Sequence, residues 1–378
     1  MKICAIICEY NPLHNGHVYQ IEKARQLSGA DAVVCIMSGN FVQRGEEAII
    51  EKHKRAKHAI YAGADAVIEL PVPFATSPAE LFAKGGVKIA HLIGANYLCF
   101  GVENGAKEDF LRGANTLIKE GEKEREKMKA YLKEGLSLAK ARSMVYDNVD
   151  LLTPNNILGL AYTKSILENG YNMEILPIER VGAGYHEKEL SNYASATAIR
   201  ENFDNISLLK SWNCLPSFSL DDLPKKKNSH LLGLEKLAIL STPLEEIARV
   251  CDCTEGIENA LKKQAAKGSD LVKKLTSKRY TASRIRRILL QNLLTIRLDF
   301  ILQALEEDSY LHLLAIGKKN EELLSYLGNR KVPLLVRNAD GKKLKGFASK
   351  LYKKEEYADD IYSILTNGTK PKAQPFIE

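Results

Sequence analysis

No run of about 18 uncharged apolar residues, the length that marks a membrane-spanning helix, occurs in this sequence, so a membrane protein is not expected. The N-terminal MKICAIICEY also lacks the parts of a secretory signal: its apolar stretch is short, Glu9 interrupts it, and no small-residue cleavage site follows. It reads instead as a first buried strand. Paired cysteine spacings are missing as well. The seven cysteines are an odd number, and Cys4, Cys8, Cys35 and Cys99 fall in apolar runs where a free thiol behaves as a small hydrophobe. That usage suits a reduced, cytoplasmic protein. Cys251-Asp252-Cys253 has neither a second pair nor a nearby histidine, so zinc-site spacing is absent and no metal ligand is assigned. Internal repeats and low-complexity segments are absent too.

What is present is a chain of 378 residues, 45% apolar and 27% charged, long enough for two domains of ordinary globular composition. Its net charge of +7 is modest and only tilts the chain toward polyanionic partners. Up to about residue 200, short apolar runs alternate with amphipathic stretches: KICAIIC then VYQIEKARQL, DAVVCIM then EEAIIEKHKRAKHAIYAGA, DAVIEL then SPAELFAKGGVKIAHLIGA. NYLCFGVEN and NMEILPIE supply further strands, and a charged stretch from Lys107 to Lys140 has a helical pattern. Such alternation predicts an α/β fold, a Rossmann-like domain whose parallel sheet has helices on both faces. The prolines, serines and lysine run of PSFSLDDLPKKKNSH mark a linker, which divides the chain into residues 1–215 and 216–378. LEEIARV, EGIENALKKQAAKG and TASRIRRILLQNLLTIRLDFILQAL make the second part mainly helical, with a small β element at KVPLLV near Lys331.

CEYNPLHNGHVYQ lies where the first strand turns into the first helix, the corner at which open α/β sheets bind nucleotides. Asn11-Pro12 breaks the strand, Gly16 removes a side chain where a backbone can approach a phosphate, and a helix starting near Asn15 offers free N–H groups to an anion. His14 and His17, three apart, can face one ligand and stabilise charge on departing pyrophosphate. A helix carrying two surface histidines fits the same letters. Zinc is disfavoured, because HNGH lacks the glutamate of HExxH and no third ligand is evident. The segment is the HxGH pattern of the nucleotidylyltransferase superfamily. A second element of that superfamily, a hydroxyl-rich turn opening a helix with an arginine, is matched by Ser195-Ala196-Thr197-Ala198-Ile199-Arg200. Ser195 is a plausible N-cap there, and Thr197 with Arg200 can reach phosphates from the opposite wall; an ordinary capped helix would look alike.

MSGNFVQRGEEAIIEKHKRAKHAIYAGADAVIELP, FGVEN, PNNILGLAY, PIERVGAGYHE, EGIENAL and KRYTASRIRRILL extend the match over most of the chain. Together with the HNGH and SATAIR segments they closely resemble the bacterial tRNA(Met) cytidine acetate ligase family. The resemblance implies a nucleotidyltransferase domain that activates acetate with ATP to acetyl-adenylate, and acetyl transfer to N4 of the wobble cytidine (position 34) of elongator tRNA(Met), forming N4-acetylcytidine. It implies catalytic roles for His14, His17, Ser195, Thr197 and Arg200. The ATP-binding segment would comprise Ile7, Cys8, Glu9, Tyr10, Asn11, Pro12, Leu13, His14, Asn15, Gly16, His17, Val18, Tyr19 and Gln20. Gly101, either Asn155 or Asn156, and Arg180 would join it, with Mg²⁺ expected from triphosphate chemistry. Leu13, Glu47 and Thr197 depart from the commoner phenylalanine, proline and serine, and none removes a polar group that the chemistry needs.

Ser38 to Glu46 should border the acetate or cytidine side, with Gln43 and Arg44 as candidate contacts, since a carboxylate nucleophile needs a cationic partner; a polar turn with an accessible arginine is the plainer possibility. From Leu261 to Leu290 ten lysines or arginines face one acidic residue, Asp270. Lys278, Arg279, Arg284 and Arg287 could track phosphates, and Tyr280 could stack on a base, although such a strip also suits a solvated helix face. The partners so implied are tRNA and acetate, with neither DNA nor a membrane; oligomeric state is left open. A small-molecule adenylyltransferase of cofactor synthesis shares the HxGH mechanism but gives no role to the basic C-terminal part. A nucleotide- or RNA-binding protein without catalysis is the third possibility.

Overall fold

Two strands buried at every position, Ala32–Ser38 and Ala66–Leu70, form the middle of the sheet. Strands covered by helices on both faces read as near-continuous apolar runs, because neither face meets water. The computed structural model describes residues 1–119, 126–127, 130–131, 134, 153–180, 194–224, 230–268, 270–366, 368 and 375–377. Within them the chain runs β1 (Ile3–Cys8), α1 (Asn15–Ser28), β2 (Ala32–Ser38), a hairpin of β3 (Phe41–Val42) and β4 (Glu46–Glu47), α2 (Lys52–Tyr61), β5 (Ala66–Leu70), α3 (Val72–Ala75) and α4 (Ala79–Leu92). Next come β6 (Tyr97–Val102), α5 (Lys107–Ile118), α6 (Pro154–Glu168), β7 (Glu174–Glu179) and three short helices, α7 (Ala196–Glu201), α8 (Ile206–Trp212) and α9 (Ser217–Asp221). The C-terminal part holds α10 (Leu231–Ser241), α11 (Leu244–Ala248), α12 (Ile257–Ala266), α13 (Leu271–Leu275), α14 (Ala282–Leu293) and α15 (Leu298–Glu306). It ends with β8 (Leu311–Gly317), α16 (Glu321–Gly328), β9 (Leu334–Leu335), α17 (Asn338–Gly341), α18 (Gly346–Leu365) and β10 (Phe376–Ile377).

The sheet order is β10-β8-β5-β2-β1-β6-β7, with β9 pairing β8. β1, β2, β5, β6 and β7 are mutually parallel, and Cys4 of β1 pairs with Val33 on one side and Tyr97 on the other. The chain therefore builds outward from β1 through β2 and β5, then returns to place β6 on the opposite flank. That reversal leaves a crevice beyond the carboxyl ends of β1 and β6, the usual ligand position in such sheets. Side chains alternate between two cores: Ile3 and Ala5 pack under α4 and α6, whereas Cys4 and Ile6 pack under α1 and α2. A separate cluster around Ile247, Leu261, Ile285 and Leu289 holds the C-terminal helices together.

The sheet is not wholly parallel, as the sequence had suggested. β8, from beyond residue 215, runs antiparallel to β5 and extends the same sheet. Its LHLLAIG is a short apolar run that periodicity cannot separate from a buried helix segment. The strand expected near Lys331 is only the two-residue β9. Glu46 and Glu47, expected in a helix, belong to the hairpin, and the helix starts at Lys52. The helical stretch from Lys107 is α5 as far as Ile118; most of its remainder, like Lys225 to Lys227, lies outside the described residues. All seven cysteines are free and buried. Among the described residues no single helix is long and apolar enough to cross a membrane.

One buried ionic cluster joins α2, β5, β8 and α18. Lys52, 2% exposed, places its Nζ 2.8 Å from Glu69 and 2.7 Å from Asp359, while His312 Nδ1 lies 2.6 Å from the other Glu69 oxygen. Burial pulls the Lys52 ammonium down, but the facing carboxylates of Asp359 and Glu69 outweigh it and raise its pKa. Burial likewise pushes Glu69 up, and Lys52 and His312 overcome that to hold it well below the usual carboxylate range. Removing one partner from a buried pair strands the other charge. Glu69→Ala should therefore lower unfolding free energy by about 3–5 kcal/mol in urea melts.

Candidate active site

β1 ends at Cys8, and the chain then turns through Glu9 to Leu13 before α1 starts at Asn15. Tyr10 takes a positive φ of 47°, and the Asn11-Pro12 peptide is cis. Leu13 is fully buried, so its departure from phenylalanine is a matter of packing alone. The turn is closed by a reciprocal cap. His14 Nδ1 accepts the Gly16 N–H at 3.1 Å, and His17 Nδ1 accepts the His14 N–H at 3.3 Å. The two rings stack with centroids 3.7 Å apart, and Tyr10 lies 4.9 Å from the His17 ring. A Cβ on Gly16 would stand 3.0 Å from the His14 ring, so the glycine leaves room for the cap.

This geometry fixes the tautomers. With both Nδ1 atoms accepting backbone N–H groups, each neutral imidazole carries its hydrogen on Nε2 and is a donor there. Burial first, then the Arg180 and Arg200 guanidiniums, pushes His14 down to about 3. Burial, His14 and the same two arginines hold His17 well below its ordinary value. Two neutral donors facing two permanent cations suit a polyanion, and the arrangement does not suit a metal ion. Among the described residues, no group of three or more His, Cys, Asp or Glu could hold one.

The opposite wall is α7. Ser195 Oγ accepts the Ala198 N–H at 3.2 Å, the expected N-cap. Arg200 Nη1 donates to the Asn11 carbonyl at 2.7 Å, and Nη2 to Thr197 Oγ1 at 3.2 Å, which ties this helix to the histidine turn. Asn15 completes the seam, its N–H donating to Cys214 O at 2.9 Å. Gly101 lies near the end of β6, where an added Cβ would meet the Arg180 stem at 3.5 Å and the Ile178 carbonyl at 4.0 Å. Asn156 is fully buried: its Oδ1 accepts the Glu103 N–H at 3.1 Å and its Nδ2 donates to Asn104. Asn155 is half-buried and donates to Glu103 Oε1 at 2.5 Å.

Gln43 and Arg44 sit in the hairpin between β3 and β4. The Gln43 N–H donates to Glu9 Oε1 at 2.8 Å, and exposed Arg44 faces both Glu9 and Arg200. Gly45, at φ 75°, docks this hairpin on α14: a Cβ would fall 2.4 Å from the Arg287 nitrogen. Arg286 pairs with Glu46 at 2.7 Å in the same joint.

The basic strip divides. Lys278 and Arg279 project to solvent, Arg279 pairing with Glu255 at 2.9 Å. Arg284 and Arg287, expected to face phosphates, turn inward. Arg284 donates to the Asp252 carbonyl and to Thr254, and its guanidinium covers the Tyr280 ring at 4.9 Å. Arg287 is 11% exposed on its pair with the Asp252 carboxylate at 2.7 Å. Asp252, in a loop, offers its carbonyl to Arg284 and its carboxylate to Arg287. That arrangement is not visible from helix periodicity. Arg55 was also missed, since KHKRAKH reads as a charged face. It is fully buried and donates to the carbonyls of Glu9, Ser38, Gly39 and Ile50. A cavity of about 380 Å³ lies elsewhere, lined by Asn40, Lys52, His312, Asp359 and Tyr362.

A donor-lined turn at the switch point of a parallel sheet, with arginines on the facing wall, defines a nucleotidyltransferase, and the HIGH Nucleotidyl Transferase family model matches residues 1–375. Within that class the chain belongs to the tRNA(Met) cytidine acetate ligase family. It is 35% identical to the Anoxybacillus flavithermus protein of that name, over 90% of each chain. It is 36% identical to the Thermoanaerobacter sp. protein, with all of this chain and 98% of the relative aligned. The crystal structure of Thermotoga maritima TmcAL bound with alpha-thio ATP superposes with a TM-score of 0.86 at 28% identity, covering 97% of this chain and 95% of that one.

Two outcomes follow from the cap. Gly16→Ala should displace the His14 ring and lower ATP-dependent turnover about 10–100-fold, with the circular dichroism spectrum retained. Because His14 has a folded pKa near 3 against 6.5 unperturbed, its neutral form contributes stability that is complete above about pH 6.5 and lost as pH falls toward 3. The difference in thermal midpoint between the unsubstituted protein and His14→Asn should shrink over that interval.

Proposed function

We infer that this protein is an ATP-dependent ligase. It activates acetate as acetyl-adenylate, releases pyrophosphate, and transfers acetyl to N4 of the wobble cytidine of elongator tRNA(Met) in the cytoplasm. The carrying observation is the pair of neutral histidines, His14 buried and His17 half-buried, in a chain that aligns end to end with tRNA(Met) cytidine acetate ligases. Donors already in place stabilise the charge that grows on leaving pyrophosphate without having to reorganise. In this reading His14 and His17 direct their Nε2–H groups at the phosphates. Arg180 and Arg200 supply fixed positive charge, and Ser195 holds Thr197 in line by capping α7. The nucleotide lies along Ile7 to Gln20 and over Gly101. Asn155, half-buried where Asn156 is fully enclosed, is the asparagine that meets it. Arg44 receives the acetate carboxylate beside the Gln43 turn. Mg²⁺ would be held by the phosphates and water and would neutralise triphosphate charge.

For RNA, the exposed side chains Lys278 and Arg279 are the contacts that the basic strip offers, with Lys273 and Lys274 beside them. Arg284 and Arg287 act one step back, by fixing the loop at Asp252.

Incubation with ATP, Mg²⁺ and labelled acetate should give RNA-linked acetyl label only when unmodified elongator tRNA(Met) is present, together with AMP and pyrophosphate. His17→Ala should reduce that label more than about 100-fold while tRNA binding persists. A dinucleotide product without labelled RNA would indicate the small-molecule adenylyltransferase instead. Binding of tRNA without pyrophosphate release would exclude catalysis.

A further inference from the structure

Acetyl transfer leaves one proton without an assigned acceptor. As the cytidine N4 bonds to the acetyl carbonyl carbon, the bond from that carbon to the adenylate oxygen breaks and its electron pair departs with AMP. The attacking amine must lose a proton to some group at the site. His14 and His17 do not suit the task. Their Nδ1 atoms are occupied by backbone N–H groups, so each ring presents a hydrogen and no lone pair to the crevice. The Tyr10 and Tyr162 hydroxyls are held protonated by burial. Among the carboxylates at this edge, Glu103 accepts from Thr153 and Asn155, Glu46 pairs with Arg286, and Glu69 is consumed by Lys52 and His312.

Glu9 is left. We propose that the Glu9 carboxylate is the general base of acetyl transfer, accepting the N4 proton as the amide forms. This rests on the function inferred above. Glu9 stands one residue beyond β1, at the crevice floor, and its neighbour Tyr10 packs against the His17 ring. The Gln43 N–H fixes one carboxylate oxygen at 2.8 Å; among the described residues no other hydrogen-bond donor reaches the carboxylate. The second oxygen is thus available to substrate. The groups facing it are Arg200 from α7, Arg44 from the hairpin, Arg55 from α2 and Tyr162 from α6. Burial raises the Glu9 pKa, against the pull of the Gln43 N–H and the three guanidiniums. The result is a carboxylate that holds a proton more readily than a solvated one, the property a general base needs. The same loop would bring Arg44 to the acetyl group and hold Glu9 through Gln43, so donor and acceptor of the transfer share one support.

Glu9→Gln keeps an oxygen for the Gln43 N–H and removes the basic site. Single-turnover transfer to unmodified tRNA and acetyl-adenylate formation, trapped with hydroxylamine, are measured as functions of pH for both proteins. The ratio of transfer rate to adenylate formation should fall by about 100-fold or more, and the acidic limb of the transfer profile should vanish. Glu9→Asp, which keeps a carboxylate, should retain that limb at a reduced rate. Equal losses in both steps, or an unchanged ratio, would overturn the proposal by making Glu9 a binding or packing group. Absence of acetyl-adenylate and of acetylated RNA with the unsubstituted protein would instead overturn the functional inference itself, before any variant is compared.

Discussion

Four main-chain carbonyls converge on the guanidinium of Arg55, and the shape of the crevice depends on that convergence. Its partners lie after β1, at the end of β2, in the turn beyond it, and just ahead of α2. Parallel strands end in carbonyls that lack ladder partners, and burying them without donors would cost about 1–3 kcal/mol each. A planar group with five N–H donors meets several such carbonyls at once, which lysine cannot do. Burial draws down its pKa, with Tyr362, Glu51 and Glu9 pulling the other way. Arg55 therefore brings the Glu9 turn and the Ser38 turn to one point, and the site is built on the edge that results.

On that edge the protein uses histidine for what it donates. At an ordinary surface an imidazole near neutral pH is divided between charge states. Here the cap engages one nitrogen and burial disfavours the cation, so a single form remains. Permanent positive charge comes instead from arginines, whose charge does not vary with physiological pH. Fixed positive charge and neutral hydrogen-bond donors are thus supplied by different residue types. The hairpin adds a mechanical link: Gly45 allows its backbone to touch α14, so the loop hydrogen-bonded to Glu9 is braced by the helix whose start bears the basic strip.

Much of this was legible in the sequence, for identifiable reasons. The first strands showed themselves by continuous apolar runs, and HNGH by lying where a strand must turn into a helix. Ser195 was recognisable as a cap because capping is local. What stayed hidden depends on contacts distant in sequence. β8 joins β5 across roughly 250 residues of chain, and its letters carry no mark of that pairing. Arg284 and Arg287 look the same in a sequence whether they meet phosphate or Asp252. Arg55 sits in a run of basic residues whose pattern is that of a solvated face, and only the fold reveals that it is enclosed.

The antiparallel insertion of β8 also bears on the life of the chain before it is complete. During synthesis β5 has no partner on its outer side until residues near 311–317 leave the ribosome. For that interval a buried, strongly apolar strand presents an open edge, the kind of surface on which chains pair wrongly with one another. The nucleotide crevice can form around β1 and β6 well before then, while the far side of the same sheet waits for its cover. Expression of residues 1–215 alone would make that waiting state permanent, so the fragment containing the whole histidine turn is also the one most exposed to aggregation.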